Sequence, residues 1–124
     1  VAPGNAGTAR EDGLVNAEGS RTVAVEAAEC PTMLAGGFGE HNIQGIGDKH
    51  IPLIHNVMNT DAVCAVSDRA TDELDVLFNT PEGRGFLARR KGVPDDVVAS
   101  LEHLGFSSIA NVVAAAAAHR HPRR

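Results

Sequence analysis

The chain contains no tryptophan and no tyrosine, and its aromatic content is four phenylalanines. It is therefore nearly transparent in the near ultraviolet, so the absorbance of any bound chromophore would stand out. Cysteine is scarce: Cys30 and Cys64 are too few and too far apart for a disulfide framework or a zinc ribbon. Reduced thiols, and with them a cytoplasmic setting, are the expectation. Lysine is scarcer than the charge count implies, since Lys49 and Lys91 are the only two. No apolar run approaches the roughly 18 residues that a membrane-spanning helix needs. The Ala114–Ala118 run is short and weakly hydrophobic, so no membrane is expected as a partner. A basic-then-apolar signal segment is missing from the first residues. Val1 stands where an initiator methionine would, which leaves processing, truncation or an unusual start open. Basic charge is also in deficit, 11 Lys and Arg against 16 Asp and Glu, which argues against nucleic acid as a partner.

What is present fits one domain at most: 124 residues, with a basic tail over 119–124 read as solvated. The most distinctive stretch is Gly39–Pro52, G-E-H-N-I-Q-G-I-G-D-K-H-I-P. Gly45 and Gly47 bracket Ile46, which permits a turn with positive φ and a close approach to a flat partner. Pro52 stops any local helix, with Ile51 and Leu53 beside it as anchors. His41, His50 and His55 form the only metal-like cluster. Their spacing puts no two on one helical turn, and no cysteine or carboxylate completes a tetrahedral set, so no metal is expected.

Arg21–Glu26 and Asp61–Ser67 read as strands, β-branched and apolar in the manner of parallel strands buried on both faces. From residue 68 the period becomes helical. Ser67 or Asp68 caps a helix carrying Ala70, Leu74, Val76, Leu77 and Phe78. Thr80-Pro81-Glu82 opens a second, Pro81–Lys91, with Phe86 and Leu87 inward and Gly92 as its end. Pro94-Asp95-Asp96 opens a third through Leu104 that stops at Gly105. Ser107-Ser108 caps a last helix through Ala118, its alanines suited to close packing. At the start, Gly4, Asn5, Ala6, Gly7 and Thr8 form a glycine-rich loop whose N–H groups suit a phosphate. A flexible terminal loop is the alternative there. Cys30 reads as a small buried residue rather than a reactive thiol.

The Gly39–Pro52 stretch resembles the segment G-P-H-K-I-Q-G-I-G-A-G-F-I-P of cysteine synthase (O-acetylserine sulfhydrylase) and its relatives, the fold-type II pyridoxal-phosphate enzymes. Gly39, His41, Ile43, Gln44, Gly45, Ile46, Gly47, Ile51 and Pro52 match. Val25–Pro31 is similar to that family's V-E-P-A-E-S-P, with Cys30 where serine is common. Gly105–Ala110 resembles its G-I-S-S-G-A-A, with Ile109 in place of the glycine. Pro81–Leu104 looks like an added helical hairpin.

The resemblance implies an α/β fold, a partial three-layer parallel-sheet domain of the tryptophan synthase beta-like type, with residues 1–118 as part of the large, cofactor-binding domain. It implies pyridoxal 5'-phosphate as cofactor, β-replacement or β-elimination on a small-molecule amino-acid substrate, and a homodimer in the full-length enzyme. Gly4, Asn5, Ala6, Gly7 and Thr8 would cradle the phosphate. Gly45, Ile46 and Gly47 would line the cofactor, Ser107 would meet its ring nitrogen, and His41 would fix the loop by a hydrogen bond. On local sequence alone Ser107-Ser108 reads first as an N-cap. Neither Lys49 nor Lys91 lies in the context of the family's cofactor-bonding lysine, and the asparagine loop for the substrate carboxylate has no counterpart. No catalytic residue is therefore assigned, and the isolated chain is expected to be inactive. A thin sheet missing its neighbours should leave open edges and an apolar face, hence self-association or poor solubility. Two other readings stand beside this one. The chain could be a non-catalytic remnant or interaction module. Val1–Ala9 alone is similar to a segment of glycinamide ribonucleotide synthetase, an ATP-grasp ligase.

Overall fold

The computed structural model describes residues 22–43, 46–47, 50–51 and 57–120. The phosphate-loop candidates Gly4, Asn5, Ala6, Gly7 and Thr8 lie outside these residues, as do Gly45, Lys49, Leu53 and His55.

Strand β1 (Val23–Ala27) pairs in parallel with β2 (Ala62–Val66), in the register Val23 opposite Ala62 through Ala27 opposite Val66. The fold is mixed α/β, and among the described residues the sheet has these two strands. Four consecutive residues of β1, Ala24 to Ala27, are buried, as expected for a strand covered on both faces. β2 departs from the same expectation. Ala62 is exposed, the next three residues are half-buried and only Val66 is fully enclosed. Its described neighbour is β1 alone, so its other edge and much of its surface lack cover among the described residues.

Glu26 is a charged residue in the middle of a buried strand, 5 % exposed. Its carboxylate accepts the backbone N–H groups of Met33 (2.9 Å) and Leu34 (3.0 Å). These belong to α1 (Thr32–Ala35), whose N-cap, Pro31, supplies no side-chain acceptor. The strand thus caps the helix, which satisfies two orphan donors and a buried charge together.

The helices follow the local signals closely. Ser67 caps α2 (Asp68–Asn79), accepting the N–H of Ala70 at 3.2 Å. Thr80 ends α2 and starts α3 (Pro81–Lys91). Its hydroxyl donates to the Val76 carbonyl at 2.6 Å and accepts the Gly83 N–H at 3.1 Å. Gly92, at φ 67°, closes α3 in the left-handed conformation.

Five expectations need correction. Phe86 is 43 % exposed while Leu87 is buried, because neighbours on a helix point about 100° apart and α3 presents one narrow face inward. Helix α4 (Asp95–Ser100) ends before Leu104, so Gly105 is not its stop. Asn79 draws the following link aside by accepting the His103 N–H at 2.7 Å and donating to the Leu104 carbonyl at 3.1 Å. His103 takes a positive φ of 66° there. Helix α5 (Phe106–Arg120) begins two residues earlier than a Ser107 cap allows, with the Ile109 N–H bonded to the Gly105 carbonyl at 3.0 Å. Ser107 and Ser108 are therefore first-turn residues, and His119 and Arg120 of the supposed tail are helical. Of the alanine run only Ala114 is buried.

Helix α5 joins two cores. Ala110 and Ala114, one turn apart, pack on the sheet with Val25, Ala27, Ile43 and Val66. Ile109, completely buried, packs with Phe78, Leu87 and Val98 of α2, α3 and α4. The helices between Pro81 and Ser100 thus present an apolar face, and the Ile109 side chain fills it.

Candidate functional site

The glycine-loop residues and the start of α5 come together at one end of the sheet. Loop residues Phe38 to Asn42, with Asp68, line an open cleft of about 440 Å³. Asn42 also lines a second cleft of about 340 Å³ with Gly105, Phe106, Ser107 and Ser108. Asn42 is therefore shared by both, and it brings the loop beside Ser107 despite their distance in sequence.

His41 acts within the loop. Its Nδ1 donates to the Ile43 carbonyl at 3.0 Å, so the proton of the neutral ring sits on Nδ1 in this contact. The other side of the ring lies over Gly47, whose φ is 92°. A Cβ at Gly47 would stand 2.5 Å from His41 Nε2, so that position needs glycine for space as well as for conformation. Gly39 is confined similarly, because a side chain there would run into the carbonyl of Glu29.

Ile46 points into the sheet core and is 8 % exposed, so what it can offer a ligand is backbone. Ile43 is fully buried beside it. Ile51 is 40 % exposed rather than an inward anchor. Cys30 is buried, with its Sγ 3.7 Å from the Thr32 hydroxyl. Lys91 is exposed at the end of α3, its ammonium 5.7 Å from the Phe86 ring centre. Among the described residues no three His, Cys, Asp or Glu side chains are grouped as metal ligands. No described helix is long and apolar enough to cross a membrane.

Three site residues escaped the sequence reading: Asn42, Asp68 and Glu29. Asp68 carried a signal that was open to two readings, since an acidic residue beside Ser67 at a helix start looks like a cap. In the fold Ser67 takes that role. The Asp68 carboxylate instead reaches back to the loop, accepting the N–H of Asn42 (2.8 Å) and of Ile43 (3.3 Å). The Asp68 N–H in turn donates to both carboxylate oxygens of Glu29, each at 3.1 Å. Asn42 carried no signal at all, because its importance lies in where the loop puts it.

No protein-family model matches the chain. No curated protein matches it either. Among solved structures, the chain is similar to a hydrogen sulfide-producing enzyme from Fusobacterium nucleatum, with 20 % sequence identity and a TM-score of 0.47. The match covers 77 % of this chain and 28 % of that enzyme.

Proposed function

We propose that the chain is the cofactor-binding part of a pyridoxal-phosphate-dependent enzyme of the cysteine synthase or cysteine lyase type, of the tryptophan synthase beta-like fold. The reaction would be β-replacement or β-elimination on a small amino acid. The observation that supports this reading is the shared cleft of Asn42 and Ser107. Asn42, from the first segment that carries the family resemblance, lines one cleft with Gly105 to Ser108 from the second.

When bound, the cofactor supplies an electron sink for charge developing on the substrate. The residues of this chain would hold and orient it. Ser107, in the first turn of α5, would offer its ring nitrogen a neutral hydroxyl, which leaves that nitrogen largely unprotonated. Gly47 and its neighbours Gly45 and Ile46 would present backbone to the flat ring, the positive φ of Gly47 turning the chain at that point. Gly4 to Thr8 would take the phosphate. Neither Lys49 nor Lys91 lies in the sequence context of the family's cofactor-bonding lysine, so the chain alone would bind the group non-covalently and without turnover.

Titration of pyridoxal 5'-phosphate into the isotope-labelled protein, followed by NMR, tests this. Saturable amide shifts at Asn42, Gly47 and Ser107 are expected, weakened in Ser107→Ala, with sulfide release from cysteine staying at background. Shifts confined to the two lysines, or none, would refute the reading. In that case the interaction-module reading leads, favoured by the exposure of Phe38 (62 %) and Met58 (90 %).

A further inference from the structure

We propose that Asp68 is a positioning residue, the clamp that sets Asn42 against Ser107, with Glu29 holding Asp68 in place. The assignment rests on who satisfies whom at the start of α2. Ser67 already caps the helix through Ala70 N–H. Glu29 already takes the Asp68 N–H with both oxygens. The Asp68 side chain is therefore unused by its own helix, and its two oxygens divide between two successive loop N–H groups, Asn42 and Ile43. A carboxylate accepting two backbone donors is a charge-assisted, two-point contact that fixes orientation as well as distance.

The relay spans three elements. Glu29 follows β1, Asp68 follows β2, and the loop lies over both. Gly39 abuts the Glu29 carbonyl, and Ile43 is anchored in the core, so the segment 39–43 is held on either side of Asn42. Asn42 stands between the two clefts, with its backbone N–H committed to Asp68. A shift of the loop would move Asn42 and open the shared wall. The clamp itself is independent of the cofactor. Its consequence for binding rests on the function proposed above.

The test uses Asp68→Ala, Asp68→Asn and Glu29→Gln in the full chain, read by residue-resolved amide exchange. Asp68→Ala should speed exchange at Asn42 and Ile43 on the order of tenfold to a hundredfold, as for the loss of a hydrogen bond to a charged group. The strand amides of Val25 and Ala65 should not change. Asp68→Asn keeps one acceptor oxygen and should release one of the two amides, which preserves the test if the alanine variant does not fold. Glu29→Gln should produce a smaller acceleration at the same two positions. Unchanged exchange at Asn42 and Ile43, or an equal rise at the strand amides, would overturn the clamp. With pyridoxal 5'-phosphate as probe, binding that is weakened in Asp68→Ala supports the positioning role, and binding at wild-type affinity overturns it. A wild-type chain that shows no binding overturns the proposed function, and the exchange data alone then decide the clamp.

Discussion

Replacing Gly47 by alanine separates two costs that the loop geometry combines. The first is conformational: at φ 92° an L-residue is strained, by about 1–2 kcal/mol. The second is steric. The new methyl would lie 2.5 Å from His41 Nε2 and 2.8 Å from Cε1, so the imidazole must leave. Moving it forfeits the Nδ1–H bond to the Ile43 carbonyl, worth about 1 kcal/mol. The sum is about 2–3 kcal/mol, a sizeable share of the 5–15 kcal/mol that holds an ordinary domain together. In a His41→Ala background only the conformational cost remains, so the double-mutant cycle should show coupling of about 1 kcal/mol. Urea unfolding followed by far-ultraviolet circular dichroism is the assay, because the chain has no tryptophan or tyrosine to report by fluorescence. Equal cost of Gly47→Ala in both backgrounds would show that His41 does not lie over this glycine. No cost in either would refute the positive φ as well.

Ile109→Ala should lose about 2–5 kcal/mol for a fully buried aliphatic side chain, whereas Val97→Ala on the exposed side of α4 should stay within about 0.5 kcal/mol. Equal effects, measured by the same denaturant titration, would mean that the helical hairpin does not close over α5. Glu26→Ala leaves the Met33 and Leu34 N–H groups without their acceptor and should cost about 2–4 kcal/mol. A melting temperature equal to that of wild type would sink the strand-to-helix cap. The open strand and the exposed Leu34, Phe38 and Met58 should make the chain self-associate. A single sharp monomer peak in size-exclusion chromatography, with a cooperative melt, would contradict that.

Part of this molecule was legible residue by residue. Ser67, Thr80, Pro81 and Gly92 act through bonds within a few positions of themselves, so their roles follow from local chemistry and the helix boundaries they predict are met. The two strands were readable for the same reason, since β-branched runs need no distant partner to declare themselves. Gly47 was legible as a positive-φ position, although the ring that crowds it was not. The sequence could not show which of two signals would prevail where both were local. Ser107 and Ser108 look like caps, yet the Gly105 carbonyl takes the first helical bond. Leu104 looks helical, yet Asn79 draws the chain aside from a helix and a hairpin away. Asp68 beside Ser67 looks like a second cap, and only the fold shows its carboxylate turned to a loop 25 residues upstream. Most helices, strands and turns were legible locally, because they depend on neighbours along the chain. The placing of Asn42 and Ser107 in one cleft, the turn of the Asp68 carboxylate to the loop and the burial of Ile109 came from packing. Each depends on a partner that packing supplies and that no local pattern records.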